Sequence, residues 1–143
     1  MNSFPRRVCS VIVSLFVLLN CTQAFARDFV NLGLLQRFIE KYSPEQLAAT
    51  GPHYVEMEGI ISEIHWCNAN NHYQMTLLVD DPKAIPPTGS DSPQLIVHFR
   101  LHLDEMPFKV GDTITVFGPL NEMYSSVILP FIQAKTINGT EDF

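Results

Sequence analysis

Tyr54-Val55-Glu56-Met57-Glu58-Gly59-Ile60-Ile61-Ser62-Glu63-Ile64-His65-Trp66 is the stretch that decides the fold. Its apolar residues alternate, but the phase slips: Val55 and Met57 share one face, whereas Ile60, Ile64 and Trp66 carry the alternation afterwards. A period of two marks a strand half-buried against a core. A slip in phase at a glycine, here Gly59, is what a β-bulge looks like in sequence, and it lets one strand bend around a barrel corner. The stretch therefore predicts one long, bent strand shared by two parts of a closed sheet.

The alternation continues to the end of the chain. Tyr73, Met75, Leu77 and Val79 point inward and Gln74, Thr76 and Leu78 outward, until Asp80-Asp81-Pro82 stops the strand and leaves a hairpin with the first. Four prolines and Gly89 make residues 82–93 a surface loop, expected to be mobile. A third strand sets Leu95, Val97, Phe99 and Leu101 against Ile96, His98, Arg100 and His102. After the turn Val110-Gly111-Asp112, Ile114 and Val116 mark a fourth strand ending at Gly118-Pro119. A fifth, over residues 127–137, contains Pro130, which confines it to an edge or a bulge.

On the N-terminal side, Val30, Leu34, Leu35, Phe38, Ile39 and Tyr42 form one stripe of an amphipathic helix, expected to pack on the barrel. Ser43-Pro44-Glu45-Gln46 follows, with a cap residue, Pro at the first helical position and Gln at the third, which predicts a second short helix to about Ala49. Residues 1–26 read as a signal peptide: Arg6 and Arg7, an apolar run from Val8 to Leu19, and Ala24-Phe25-Ala26 before the cut. The run is shorter than the roughly 20 residues that span a bilayer. The expected organisation is thus a signal peptide at 1–26, a helical segment at 27–52, a barrel at 53–138 and a tail at 139–143, secreted or periplasmic after cleavage near Ala26. Leu18-Leu19-Asn20-Cys21 offers the competing reading of a lipidated Cys21, the one route to a membrane, although Asn20 stands where a small residue is usual. With Cys9 and Cys21 removed, Cys67 has no intramolecular partner.

The chain carries 15 acidic and 9 basic residues, and Arg6 and Arg7 lie before the cut while every acidic residue lies after it. The mature protein is therefore more acidic than the formal −6 of the whole chain. Nucleic-acid affinity comes largely from neutralised phosphates, so this balance, without a Lys/Arg cluster, argues against nucleic acid and for a protein partner or small ligand.

Five strands, a bulged first strand carrying Val55-Glu56-Met57-Glu58-Gly59-Ile60-Ile61, the turn Val110-Gly111-Asp112 leading into Ile114-Thr115-Val116-Phe117-Gly118, and an apolar last strand together resemble the OB-fold. The likeness is nearest to the tRNA-anticodon-like and bacterial secreted OB-fold types. The resemblance implies a mainly β, five-stranded OB-fold barrel preceded by the N-terminal amphipathic helix. It also implies a ligand face on strands two and three, flanked by the loops joining strands one to two and four to five. On this sequence the face carries Gln74, Thr76, His98, Arg100 and His65, with Tyr124 and loop residues 68–72 and 121–125. The usual helix between strands three and four is reduced to Asp104-Glu105-Met106-Pro107, and Arg100 is the only base on the expected face.

No residue is nominated as catalytic. Glu56 and Glu58 follow the pattern of a solvated strand, no serine sits in a nucleophile elbow, and Cys67 with His65 lacks an orienting third group. His65, Cys67 and His72 have donor types that suit zinc or copper but want a fourth ligand, and His98 and His102 stand about 13 Å apart on an extended strand, so neither metal nor cofactor is expected. Trp66 and Tyr73 are expected in the core by their phase. The resulting expectation is a non-catalytic binding module for a protein or small ligand; the alternative is an oligosaccharide- or single-stranded nucleic-acid-binding protein that stacks its ligand on Trp66, Tyr73 and Tyr124.

Overall fold

A computed structural model describes residues 27–141 except 70 and 102. The predicted signal peptide and the Cys21 reading lie outside the described residues.

Two helices come first. α1 (Leu32–Lys41) is capped by the Asn31 side chain, which accepts from Leu34 N–H. α2 (Pro44–Thr50) has the predicted capping box, with Ser43 Oγ accepting from Gln46 N–H and Gln46 Oε1 accepting from Ser43 N–H. The buried side of α1 is Leu32, Gly33, Leu35, Gln36 and Ile39, which is rotated from the predicted stripe and leaves Val30 and Leu34 exposed. The rotation follows from how the helix docks. Asp81 Oδ2 accepts from Gly33 N–H at 2.9 Å, and Gln36 exchanges two hydrogen bonds with the backbone of Ile85 at 2.7 and 2.9 Å. These bonds fasten the first half of the 82–93 loop, where Ala84 is buried, so the expectation of a mobile loop is corrected there.

Six strand segments make one sheet in the order β5-β3-β2-β1-β4-β6. They are β1 (Tyr54–Cys67), β2 (His72–Leu78), β3 (Gln94–Phe99), β4 (Thr113–Pro119), β5 (Phe131–Gln133) and β6 (Thr136–Ile137). The first half of β1 pairs antiparallel with β4, from Tyr54↔Pro119 to Ile60↔Thr113. Its second half pairs with β2, from Ile60↔Leu78 to Cys67↔His72. The register slips between Ile61 and Glu63, so the bulge is at Ser62 and not at Gly59. Ile60 consequently faces out. Gly59 serves the bend differently: a Cβ there would stand 2.9 Å from the Leu78 carbonyl oxygen, so only glycine fits where β1 passes from one partner to the other. The Gly111 turn closes onto the same place, with Ile61 N–H donating to the Asp112 carbonyl and Gly111 N–H to the Ile61 carbonyl.

The predicted fifth strand is two segments. β5 runs parallel to β3, and β6 turns back antiparallel to β4. Pro130, which has no N–H to give a ladder, sits just before β5. The bridge Leu120↔Ile132 and the bonds from Asn121 N–H to the Phe131 carbonyl and from Lys135 N–H to the Phe117 carbonyl join β5 to the end of β4, curling the sheet on itself. Val55, Met57, Ile61, Met75, Leu77, Leu95, Val97, Phe99, Ile114, Val116 and Ile132 fill the interior, and α1 packs on it through Leu32, Leu35 and Ile39. This is the mainly β OB-fold architecture the sequence predicts.

Candidate functional site

Strand alternation assigns the outer face. Opposite the inward Met75, Val97 and Ile132, β1 presents Glu63, His65 and Cys67, β2 presents His72, Gln74 and Thr76, β3 presents Ile96 and His98, and β5 presents Phe131 and Gln133. Pairing places His65 opposite Gln74, Gln74 opposite His98, and Cys67 opposite His72. Three imidazoles, a thiol and an amide thus share one patch of sheet because five strand positions of the same parity happen to carry them.

Gln74 organises the group. Its Oε1 accepts from His98 Nε2 at 3.1 Å, and the Cys67 thiol approaches the same oxygen at 3.9 Å. An amide oxygen only accepts, so His98 carries its proton on Nε2 and leaves Nδ1 with a free lone pair. The His72 and His98 rings lie 4.3 Å apart between centroids. Burial first, then the neighbouring His72 and His65, push the His98 imidazole down from its ordinary range to a pKa of about 4, so it is neutral at physiological pH. His72 is also buried, and its Nε2 is the one buried side-chain polar atom among the described residues that lacks a hydrogen-bond partner. A buried polar atom left unpaired costs about 1–3 kcal/mol.

The β4–β5 loop forms the wall. Ser125 Oγ donates to the Asn121 carbonyl at 2.7 Å and accepts from Phe131 N–H at 2.9 Å, which sets the neighbouring Tyr124 beside the sheet. The Tyr124 and Phe131 rings meet the His98 ring at 6.2 and 5.2 Å, both edge-on. Tyr124 remains 57% exposed, so one side of its ring is open to a partner.

The structure therefore brings together four of the six nominated residues: Gln74, His98, His65 and Tyr124. Thr76 is on the right face but buried, with its carbonyl taken by Ser62 Oγ at 3.3 Å. Arg100 is exposed just past the end of β3. Two further members join them. His72, expected at the end of the flanking loop 68–72, is the first position of β2, and Phe131 lies in a strand whose parity the sequence does not reveal across Pro130. Trp66 and Tyr73 have the inward phase, but they stand at the open end of the barrel. Their rings meet edge-on at 4.9 Å and Trp66 is 45% exposed, so the expectation of a core Trp66 is corrected. Among the described residues, no three His, Cys, Asp or Glu side chains are converged as metal ligands. None of the described helices is long and apolar enough to cross a membrane.

A second aromatic surface occupies the far side of the barrel. Tyr54 and Phe117 stack at 5.5 Å with Lys135 Nζ 5.2 Å above the Tyr54 ring. Arg27, paired with Glu56 at 3.1 Å, helps line a cleft of about 250 Å³ next to it.

No protein-family model matches the sequence, and no curated protein matches it. Among solved structures, the chain is similar to the Stn1–Ten1 complex of S. pombe, at 19% identity and a TM-score of 0.40, covering 59% of this chain. The match spans only 55% of that chain. It is also similar to a lipoprotein of Klebsiella pneumoniae described as nucleic acid-binding (16% identity, TM-score 0.48, covering 73% of this chain and 86% of the other). A third is the small single-stranded DNA-binding protein of Streptomyces coelicolor (14% identity, TM-score 0.42, covering 62% and 91%). These likenesses concern the OB-fold in general, not its anticodon-like or secreted types. Proteins described as nucleic acid-binding and single-stranded DNA-binding stand among these matches, against the expectation that nucleic acid is an unlikely partner, and that expectation is corrected. The physical fault in that expectation is that it rested on net charge, a property of the whole surface. On the outer face formed by the second half of β1 with β2, β3 and β5, Glu63 is the one acidic residue among the described residues; Glu56 and Glu58 face out from the half of β1 that pairs with β4. The strand order, the bulged β1 and the closure of β5 onto β4 are consistent with the OB-fold architecture.

Proposed function

We propose that this chain is a non-catalytic binding protein that takes single-stranded nucleic acid across the outer face of β2 and β3, outside the cytoplasm after cleavage near Ala26. The observation that carries the reading is the run of rings His72, His98, Phe131 and Tyr124 along that face, with the open Tyr124 ring as its wall. The open Tyr124 ring and the half-buried Phe131 ring can accept any base by stacking, the buried His72 and His98 rings back them, and the amide of Gln74 and the unpaired His72 Nε2 are the polar groups beside them. The reading rests on these side chains and agrees with what the similar structures are described as binding. Within it, the ligand residues are Gln74, His98, His65, Tyr124 and Arg100, joined by His72.

A second reading, an oligosaccharide or another uncharged ligand, is favoured by the scarcity of permanent cations, since Arg100 is the single Lys or Arg at this face among the described residues. Anisotropy of a labelled oligothymidylate of about 12 nucleotides, titrated at 50 and 200 mM salt, separates the two. One phosphate contact gives a single-strand salt slope of about −0.7, which is about a threefold loss over that interval. Saturable binding with a loss of that size supports nucleic acid. No binding at either salt, with binding of a neutral oligosaccharide, supports the second reading.

A further inference from the structure

We propose that the His72–His98 pair is the subsite for an anionic oxygen of the ligand, a phosphodiester in the reading above on which this inference rests, and that a proton is taken up there as the ligand binds. Three geometric facts lead to this. His72 Nε2 is buried without a partner, on a side chain 8% exposed, so a ligand oxygen accepting from it removes a standing cost. His98 Nε2 is already spent on Gln74 Oε1, which leaves Nδ1 as an unprotonated acceptor on the same face. The two rings are held 4.3 Å apart, so a charge arriving at one is felt by the other.

The surrounding groups decide the direction. β1 contributes His65, whose nearest carboxylate is Glu63 at 3.8 Å, and the Cys67 thiol. β2 contributes His72 and Gln74, β3 contributes His98 with Arg100 beyond it, the β4–β5 loop contributes Tyr124, and β5 contributes the uncharged Phe131 and Gln133. Among the described residues no carboxylate offsets a charge on His98, which burial and two further imidazoles hold neutral. A phosphodiester laid on the pair supplies the missing counter-charge and makes Nδ1 a donor toward it. If the bound anion returns His98 from about 4 to the ordinary 6.5, affinity rises about tenfold between pH 7.5 and 5.5. A neutral ligand produces no such gain.

The test uses the full mature chain and oligothymidylate, whose bases and phosphodiesters do not titrate in this range. Affinity is measured by anisotropy at pH 7.5 and 5.5. Calorimetry at pH 5.5, in two buffers of different ionisation enthalpy, counts protons without any variant. The expected results are about tenfold tighter binding at pH 5.5, close to one proton taken up per complex, and a flat pH profile for His98→Gln. Binding of equal strength at both pH values with no proton uptake overturns this inference and leaves the proposed function standing. Absence of oligothymidylate binding at both pH values overturns both.

Discussion

His98 donates to Gln74 Oε1 at 3.1 Å, and this one bond fixes which nitrogen of the imidazole is protonated, which way the ring faces, and how the amide on the neighbouring strand is turned. The pair exists because Gln74 and His98 are opposite each other in the β2–β3 register. It links a feature of local alternation to the chemistry of the whole face.

Acid should destabilise the free protein through this residue. The folded-state pKa of His98, about 4, lies below the ordinary 6.5, so the unfolded chain binds the proton more readily. That contribution is fully present above about pH 6.5 and is lost as pH falls toward 4. Urea unfolding of the wild type at pH 7 and 4.5 should show a loss about 2 kcal/mol larger than that of His98→Gln. Equal losses in the two proteins would mean that His98 is not held neutral by the fold.

Tyr124 should matter for binding and hardly for folding. More than half of it is exposed, and the loop is held by Ser125 rather than by the tyrosine ring. Tyr124→Ala is expected to weaken oligothymidylate binding by about 5- to 150-fold, the range for one lost stacking contact, with a melting temperature close to wild type. Ser125→Ala should weaken binding as well, by freeing the wall on which Tyr124 sits, and should also lower stability by about 1–2 kcal/mol.

Asp81 is a structural joint. Its two oxygens accept from Gly33 N–H at 2.9 Å and Lys83 N–H at 3.0 Å, tying α1 to the turn after β2. Replacing it with Ala strands a buried N–H and is expected to cost about 2–3 kcal/mol in a denaturant titration, while leaving ligand affinity unchanged. A large loss of affinity in a fully folded Asp81→Ala protein would move the site toward α1.

Gly118 should be the least replaceable residue of the barrel seam. A Cβ there would collide with the Gln133 carbonyl oxygen, a backbone atom that cannot rotate aside, at the point where β5 meets β4. Gly118→Ala is expected to destabilise by at least about 3 kcal/mol, beyond the usual range for overpacking by one methyl group, because closure itself is opposed.

Much of this architecture can be read from local pattern. Period-two alternation located β1 to β4, and the Ser43/Gln46 box located α2, because each depends on residues near in sequence. What could not be read depends on contacts between distant segments. The bulge sits at Ser62 because β2 and the Gly111 turn both compete for the backbone around Ile61, a constraint invisible within β1. The stripe of α1 is rotated because Asp81 and Ile85 fix the helix by hydrogen bonds rather than by its most apolar face. For the site, parity was enough to put Gln74, His98 and His65 on one surface. It was not enough to show that Thr76 is covered or that Phe131 belongs there, because β5 is a three-residue strand with a parallel partner. Net charge misled about nucleic acid because it averages over a surface on which the carboxylates are unevenly placed.

The central claim is that ligand binds on the β2–β3 face and not on the Tyr54–Phe117 surface opposite. Amide chemical-shift mapping of the isotope-labelled chain titrated with oligothymidylate addresses it directly. The account predicts saturable shifts concentrated at Gln74, His98, His72 and residues 121–125, with Tyr54, Phe117 and Thr136 unmoved. Shifts confined to Tyr54, Phe117 and Thr136, or none at saturating oligonucleotide, would contradict it.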